Sequence, residues 1–448
     1  EDRFGLLTGG SRVALPRQQT LEAAVDWGYG LLTAGEQSLF RRLSVIRGPF
    51  DVGLAEQIAG GSSAGAEVAP TLAELVDKSL VVRTEDAGGY RLLETLRAYG
   101  WLRVDEEGSA ADLRRRHAQA FVGRAEEAAD VLRGPEFWAR AEVIGRHHED
   151  YLAALATLVD DGSTDDALRL TFALWRFWHY RFALEEATRW ITTVLALPGG
   201  DHTLRLSVLV ALASVAVAAD DDAGAEDACR RGLELCGPGD DWFRAHLLMA
   251  LAEVAGFRGD TSERPVEKAR LSADLFASEG DAYWHAHARR AEAILLQVGG
   301  DTRGAEAGAR RCLELFEGCG DREGVAGATL MLSGLSRSHG DLAGAALLAT
   351  RALAAFSDIG EPWGVAESAR RLAEVRLAQG DRQAALVLTR DALARYQRLG
   401  SAVGAEQARH LLARVEAAPA GVGPTTVIDL SLLERRSEPY RVRTARPG

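Results

Sequence analysis

Lysine is nearly missing from this chain. Among 448 residues there are two, Lys78 and Lys268, and neither follows a glycine. A phosphate-cradling loop of the G-x-x-x-x-G-K-[ST] kind needs a lysine that reaches the β/γ phosphates. The glycine-bearing stretch "LLTGGSRVALPRQQT", residues 6–20, continues from Gly10 into Ser11 and Arg12, so it is not such a loop. Asparagine is absent, which with the excess of arginine we read as a base-composition bias. Cysteine is scarce: Cys229, Cys236, Cys312 and Cys319 are too few for a disulfide scaffold of this size. Within each pair the spacing spans about two helical turns, roughly 10 Å, beyond the reach of a disulfide. They read as small packing residues in a reducing compartment. No signal peptide opens the sequence, and the longest nearly apolar run, Leu206 to Ala219, is too short to span a bilayer. A cytoplasmic protein without membrane contact is expected. The net charge of −13 argues against nonspecific attraction to nucleic acid.

What is present is helix-forming. The chain is 47% hydrophobic with 7% aromatic residues, and its apolar mass is mostly Ala, Leu and Val, a mix that suits close-packed helices. From residue 259 a glycine followed by a polar residue recurs at Gly259, Gly280, Gly300, Gly320, Gly340, Gly360, Gly380 and Gly400. The first step is 21 residues and each later one is 20. Glycine supplies the left-handed residue that ends a helix, and the following Asp caps the next one. Phe276, Phe316, Phe356 and Tyr396 recur every 40 residues, as do Ala305, Ala345 and Ala385, and Leu295, Leu335, Val375 and Val415. A helix pair repeated in this way buries its face only by stacking. The expected fold is mostly α, with a right-handed α-solenoid of tetratricopeptide-like helix pairs of 40-residue period. Helices are also expected at 165–180, 184–197, 203–218, 223–236 and 241–257, with a closing helix near 403–416.

Residues 18–105 lack this period. A helix over 20–32, a capping box at Thr33–Glu36, short helices near 51–59 and 70–78, and "SLVVRTEDAGGYRLL" as a hairpin make a winged-helix domain. Its reader helix by analogy, "TLAELVDKS", sets Glu74 and Asp77 against Lys78 alone. Direct DNA binding is therefore not expected.

The phrases "RFGLLTGGSRVALPRQQTLEAAVDWGYGLLTAGEQSLFRRLSVIRGPFD", "LVDKSLVV" and "YRLLETLRAYG" resemble the region after the ATPase core in bacterial signal-transduction ATPases (the STAND type). These are large regulators of the antibiotic-regulatory and LuxR-type kind. The resemblance runs through specific phrases over residues 3–200 and by repeat type over 200–416. It implies a connector from an ATPase module at 1–17, the winged helix at 18–108, a helical linker at 109–164, the solenoid at 165–416 and a tail at 417–448. It implies transcription regulation, with ATP or ADP held only in the upstream module and no cofactor in this chain. Immune ATPases related to this family carry a nucleotide-sensing His-Asp pair after the wing; the matching place here holds Leu93-Glu94.

Enzymatic activity is not expected. Gly61-Ser62-Ser63-Ala64-Gly65 matches the G-x-S-x-G pattern, but that motif needs a strand before it and a helix after it, and its surroundings are low-complexity. His147-His148-Glu149 lacks zincin spacing and reads as a polar helix face, so no metal site is expected. The aromatic stretch "LWRFWHYRF" with Trp175, Trp178, His179 and Tyr180 either fills core or forms a recognition wall. Trp242, Tyr283-Trp284 and Trp363 lie near the starts of first helices, the concave side of tetratricopeptide proteins, with Arg244, His287, Arg290 and Arg370 along the same helices. Aromatic and arginine side chains are common carriers of binding affinity. Arg290 and Arg370, 40 residues apart, suit an acidic peptide or an anionic small molecule; pairing with Glu292 or Glu374 on an outer ridge is the competing reading. The function expected is a regulatory sensor that binds a protein or small-molecule signal in the solenoid groove and relays it to the ATPase. The alternative is a free-standing scaffold that joins proteins. The tail, basic at Arg435, Arg436, Arg441, Arg443 and Arg446, reads as a flexible end or as a segment lying on the acidic solenoid.

Overall fold

The computed structural model describes residues 16–60, 65–84, 89–129, 137–181 and 183–419. Most of the connector, residues 61–64 of the G-x-S-x-G match, the hairpin turn at 85–88 and the tail from 420 lie outside the described residues. The chain divides into two compact units. One comprises residues 1–130, 139–174 and 192–204, and the other residues 131–138, 175–191 and 205–448.

The first unit begins with α1 (Pro16–Gly30), α2 (Ala34–Leu43), α3 (Val52–Ala59) and α4 (Gly65–Asp77). Thr33 and Glu36 cap α2 reciprocally, each side chain taking the other's backbone N–H. Leu39, Phe40, Leu43, Leu54, Ile58, Leu72 and Leu75 are buried. Helix α4 starts about five residues before the expected 70, with Pro70 inside it. Proline there removes a single backbone bond, while Val68, Leu72 and Leu75, on one face by their spacing, are all buried. Strands β1 (Val82–Arg83) and β2 (Tyr90–Arg91) pair antiparallel, and Phe50 bridges to Tyr90. This is the wing. Helix α5 (Glu94–Glu106) follows, then α6 (Ala110–Ala129), α7 (Phe137–Arg146), α8 (His148–Asp160) and the start of α9 (Thr164–Tyr180).

Asp150 of α8 is fully buried. It accepts the backbone N–H groups of Arg47 and Gly48 at 2.8 Å and faces His117 Nε2 of α6 at 2.9 Å. These bonds tie the α2–α3 loop to α6 and α8, and with the facing imidazole they hold the Asp150 carboxyl well below the ordinary range despite its burial. His147, expected on a polar helix face, is instead largely buried and turned toward Asp150.

The second unit is the solenoid. After α10 (Leu184–Leu195) come α11 (His202–Ala218), α12 (Asp222–Leu235), α13 (Asp241–Phe257), α14 (Glu263–Ser278), α15 (Ala282–Val298) and α16 (Thr302–Cys319). Then follow α17 (Arg322–Ser338), α18 (Leu342–Ile359), α19 (Pro362–Ala378), α20 (Arg382–Leu399) and α21 (Ala402–Ala417). The punctuation works as glycine chemistry requires: Gly320, Gly360 and Gly400 are left-handed, with φ of 71°, 77° and 73°. The next residues, Asp321, Glu361 and Ser401, cap the following helices. Phe276, Phe316, Phe356 and Tyr396 are buried at equivalent places. Three of these rings lie on a glycine of the next helix. A Cβ at Gly324, Gly364 or Gly404 would stand 2.2, 2.3 or 2.4 Å from a ring carbon. At the matching place α15 carries Trp284, stacked on Phe276 at 6.2 Å and 26°.

Candidate recognition face

The first helices α13, α15, α17, α19 and α21 pack against one another across successive repeats, which marks the inner side of the stack. Four positions per helix, at i, i+4, i+7 and i+11, form lines along that side. On α15 they are Tyr283, His287, Arg290 and Ile294, and on α17 Glu323, Gly327, Leu330 and Gly334. On α19 they are Trp363, Glu367, Arg370 and Glu374; on α13, one residue further off in register, Trp242, His246, Met249 and Glu253.

One end of this face is aromatic. Arg176 of α9 is buried, with its guanidinium carbon 5.0–5.9 Å from the ring centres of Tyr283, Trp284, Tyr180 and Trp175. Its Nη2 donates to Tyr283 at 2.6 Å. Trp175 stacks on Trp284 at 6.4 Å and 18°. His179 also faces this cluster, and burial lowers it to about 4, so it is neutral at pH 7. The structure thus brings Trp175, His179, Tyr180, Trp284 and His287 together. His287 lies against Tyr283 and Trp284 and faces Asp321 Oδ2 at 3.1 Å; burial lowers it to about 4 as well.

Other expected residues are placed differently. Trp178 is wholly buried, with Nε1 donating to Glu186. Trp242 donates to Asp281, and Arg244 pairs with Asp241 on its own helix. Trp363 is 39% exposed. Arg370 is buried and held by Glu367 and Glu374, and Glu367 also accepts from Tyr396 and Arg371. Its charge is therefore spent inside the fold. Arg290 stands apart from it. It is half-buried, makes no ion pair or hydrogen bond among the described residues, and reaches over α17, where a Cβ at Gly327 would lie 3.2 Å from its Nη1. Glu292, weighed as its partner, binds Arg270 and Arg289 instead.

Two residues that sequence reasoning passed over complete the face. Glu253 and Glu323 are half-buried and likewise have no hydrogen bond or ion pair among the described residues. Burial raises both carboxyls above the ordinary range, with Glu361 and Asp321 adding to the rise at Glu323 and the Arg290 charge opposing it at both. The repeat itself could have found them: Glu323 occupies the line of Tyr283 and Trp363, and Glu253 that of Ile294 and Glu374. Among the described residues no group of three or more His, Cys, Asp or Glu side chains is arranged to hold a metal ion.

Residues 32–103 match the winged helix-turn-helix domain family. The chain is 31% identical over 357 residues to proteins of Mycobacterium tuberculosis and Mycobacterium bovis named "Putative HTH-type transcriptional regulator". The match takes in 72% of this chain and 37% of theirs, so the chain spans little over a third of the length of those relatives. An uncharacterized protein of Mycobacterium tuberculosis is 38% identical over 113 residues, covering 24% of this chain and 29% of its own. Among solved structures, a signal transduction ATPase with numerous domains carrying a tetratricopeptide repeat sensor, from Pyrococcus horikoshii, aligns over 91% of this chain and 62% of its own. It does so at 13% identity with a TM-score of 0.48. The chain is thus homologous to helix-turn-helix regulators and carries their kind of winged-helix domain, as the phrases at 3–200 implied.

Proposed function

We propose that this chain is the non-catalytic sensor part of a transcriptional regulator of the signal-transduction ATPase kind. Its first-helix face binds a protein or small-molecule signal, and the winged helix passes the result to an ATPase module carried elsewhere in the full-length protein. The division into connector, winged helix, linker, solenoid and tail at 17, 108, 164 and 416 belongs to the same reading. The observation that carries it is the partnerless trio Glu253, Arg290 and Glu323 on three successive first helices. Half-buried charges without partners are costly in a folded chain, while elsewhere on this solenoid charged side chains such as Arg258, Arg289 and Arg370 are paired. A ligand that completes them in one arrangement of the regulator better than in another shifts its population. The winged helix acts here as a relay rather than a reader of DNA, since Lys78, the cation at the end of its reader helix, is bound to Glu36.

The test uses the full-length regulator with a transcriptional reporter. Arg290→Ala together with Glu253→Ala is expected to change signal-dependent output. Unfolding stability should not fall, since the change removes half-buried charges that form no hydrogen bond or ion pair among the described residues. Unchanged reporter output at every signal level would overturn the assignment of this face.

A further inference from the structure

We propose that the first-helix face is a docking site for a cationic segment of a partner protein, with an arginine or lysine side chain seated on Glu323 beside the exposed ring of Trp363. The inference rests on the sensor reading above and gives it a chemistry. It also reverses the sign expected from the paired spacing of Arg290 and Arg370, because Arg370 is already neutralised by two carboxylates. What remains open on the face is one cation and two carboxyls.

The geometry converges on Glu323. It stands in the first turn of α17, in one line with Tyr283 on the preceding first helix and Trp363 on the following one. The Glu323 charge raises the Tyr283 phenol further, after burial, and Glu361, two residues before Trp363, raises Glu323. A carboxylate beside an exposed aromatic ring is a receptor for an ammonium or guanidinium, which gains both the ion pair and the face of the ring. Here that ring is Trp363, since Tyr283 is already covered by Arg176 and His287. Trp363 keeps 39% of its surface exposed and so is available for such stacking. Room for a chain exists beside it. Gly334 removes a side chain from the inner line of α17, and a Cβ there would meet nothing within 4 Å, whereas the space at Gly327 is taken by Arg290.

The charges facing Glu323 are Arg176 of α9, Arg290 of α15 and the capping residues Asp321 and Glu361 that precede α17 and α19, with the phenols of Tyr180 and Tyr283 beside it. Burial and the two acids hold a proton on Glu323 more firmly than on an exposed glutamate. A docked cation would take the place of that proton, so binding should release protons and strengthen as pH rises.

The experiment measures fluorescence anisotropy of labelled penta-arginine and penta-glutamate peptides with the whole chain at about 0.15 M salt. Penta-arginine is expected to bind, and Glu323→Gln or Trp363→Ala to weaken it by about tenfold or more. Arg290→Ala should tighten it by removing a like charge. Calorimetry in two buffers of different ionisation heat should show proton release that Glu323→Gln abolishes. Penta-arginine binding that ignores both Glu323→Gln and Trp363→Ala would be general attraction to an acidic chain and would overturn the site. Preference for penta-glutamate, lost in Arg290→Ala, would overturn the sign. A chain ending at Pro419 that binds penta-arginine about tenfold more tightly would make the chain's own basic tail the occupant and overturn the partner assignment. A reporter that responds to Glu323→Gln without any peptide binding would sink the cationic ligand alone, whereas a reporter silent to Glu323→Gln, Arg290→Ala and Glu253→Ala would sink the sensor reading with it.

Discussion

At the scale of single residues, glycine does two opposite things on the same helix. Gly324 is a contact: Phe316 lies on its bare backbone so closely that a methyl group would stand 2.2 Å from the ring. The ring is wholly buried and has nowhere to withdraw. Gly334, ten residues on, has empty space around it. Overpacking a closed contact costs about 1–3 kcal/mol, whereas replacing an unconstrained helical glycine by alanine gains about 0.5–1 kcal/mol. Gly324→Ala is therefore expected to lower the denaturation midpoint and Gly334→Ala to raise it, both read by urea titration of helical signal. Equal effects of the two would show that ring-on-backbone packing does not lock the stack. Trp284 shows what the glycine excludes elsewhere. It occupies the matching place on α15, and there the ring field of Trp175, Arg176 and Phe276 replaces the regular contact.

At the scale of elements, local chemistry was legible and pairing across elements was not. The capping box at Thr33, the Gly-Asp turns and the buried rings at 276, 316, 356 and 396 follow from backbone rules that act within a few residues, so the sequence carries them openly. The aromatic cluster was legible as a cluster. Its partition was not: Trp178 lies in the core, bound to Glu186 of α10, and Trp175 stacks on Trp284 of α15. Arg370 looked like Arg290 by spacing; Glu374, named from the sequence as its competing partner, does hold it together with Glu367, both on the same helix. Asp150 was invisible, since its partners Arg47 and Gly48 lie 103 and 102 residues away in sequence. Its removal should be severe. Asp150→Ala leaves two amide N–H groups without their acceptor, and breaking a buried, hydrogen-bonded charge costs about 3 kcal/mol or more. The pH dependence has a definite sign. The folded-state carboxyl titrates below the unfolded value of 3.8, so between the two the unfolded chain binds more protons and stability rises with pH. The contribution is complete above that unfolded value and is lost as acid drives the pH down through the depressed one. Asp150→Asn should flatten the acid limb of a stability–pH curve; an unaltered limb would show that the carboxylate is not what joins the α2–α3 loop to α8.

At the scale of the molecule, the solenoid is held by neighbours. Each helix pair packs chiefly on the pairs before and after it, so cohesion is a sum of similar interfaces rather than one core. The Gly-Asp turn at 340–341 and the one at 380–381 have the same form, each with a left-handed glycine and an Asp side chain capping the next helix. Excising Asp341 through Gly380 would rejoin Gly340 to Asp381 and set α20 where α18 stood, with Ala385 in the place of Ala345. That shortened chain should keep its helicity per residue by circular dichroism. Excising only Asp341 through Gly360 would bring a first helix where a second belongs and should lose cooperative unfolding; equal behaviour of the two deletions would refute the 40-residue unit. The turns thereby act as splice points. Copies of the unit can be gained or dropped by unequal recombination without a folding penalty at the joint, and each event lengthens or shortens the inner surface by one step. Under the proposed sensor role, the range of ligands open to the inner surface is then set by copy number as much as by point substitution.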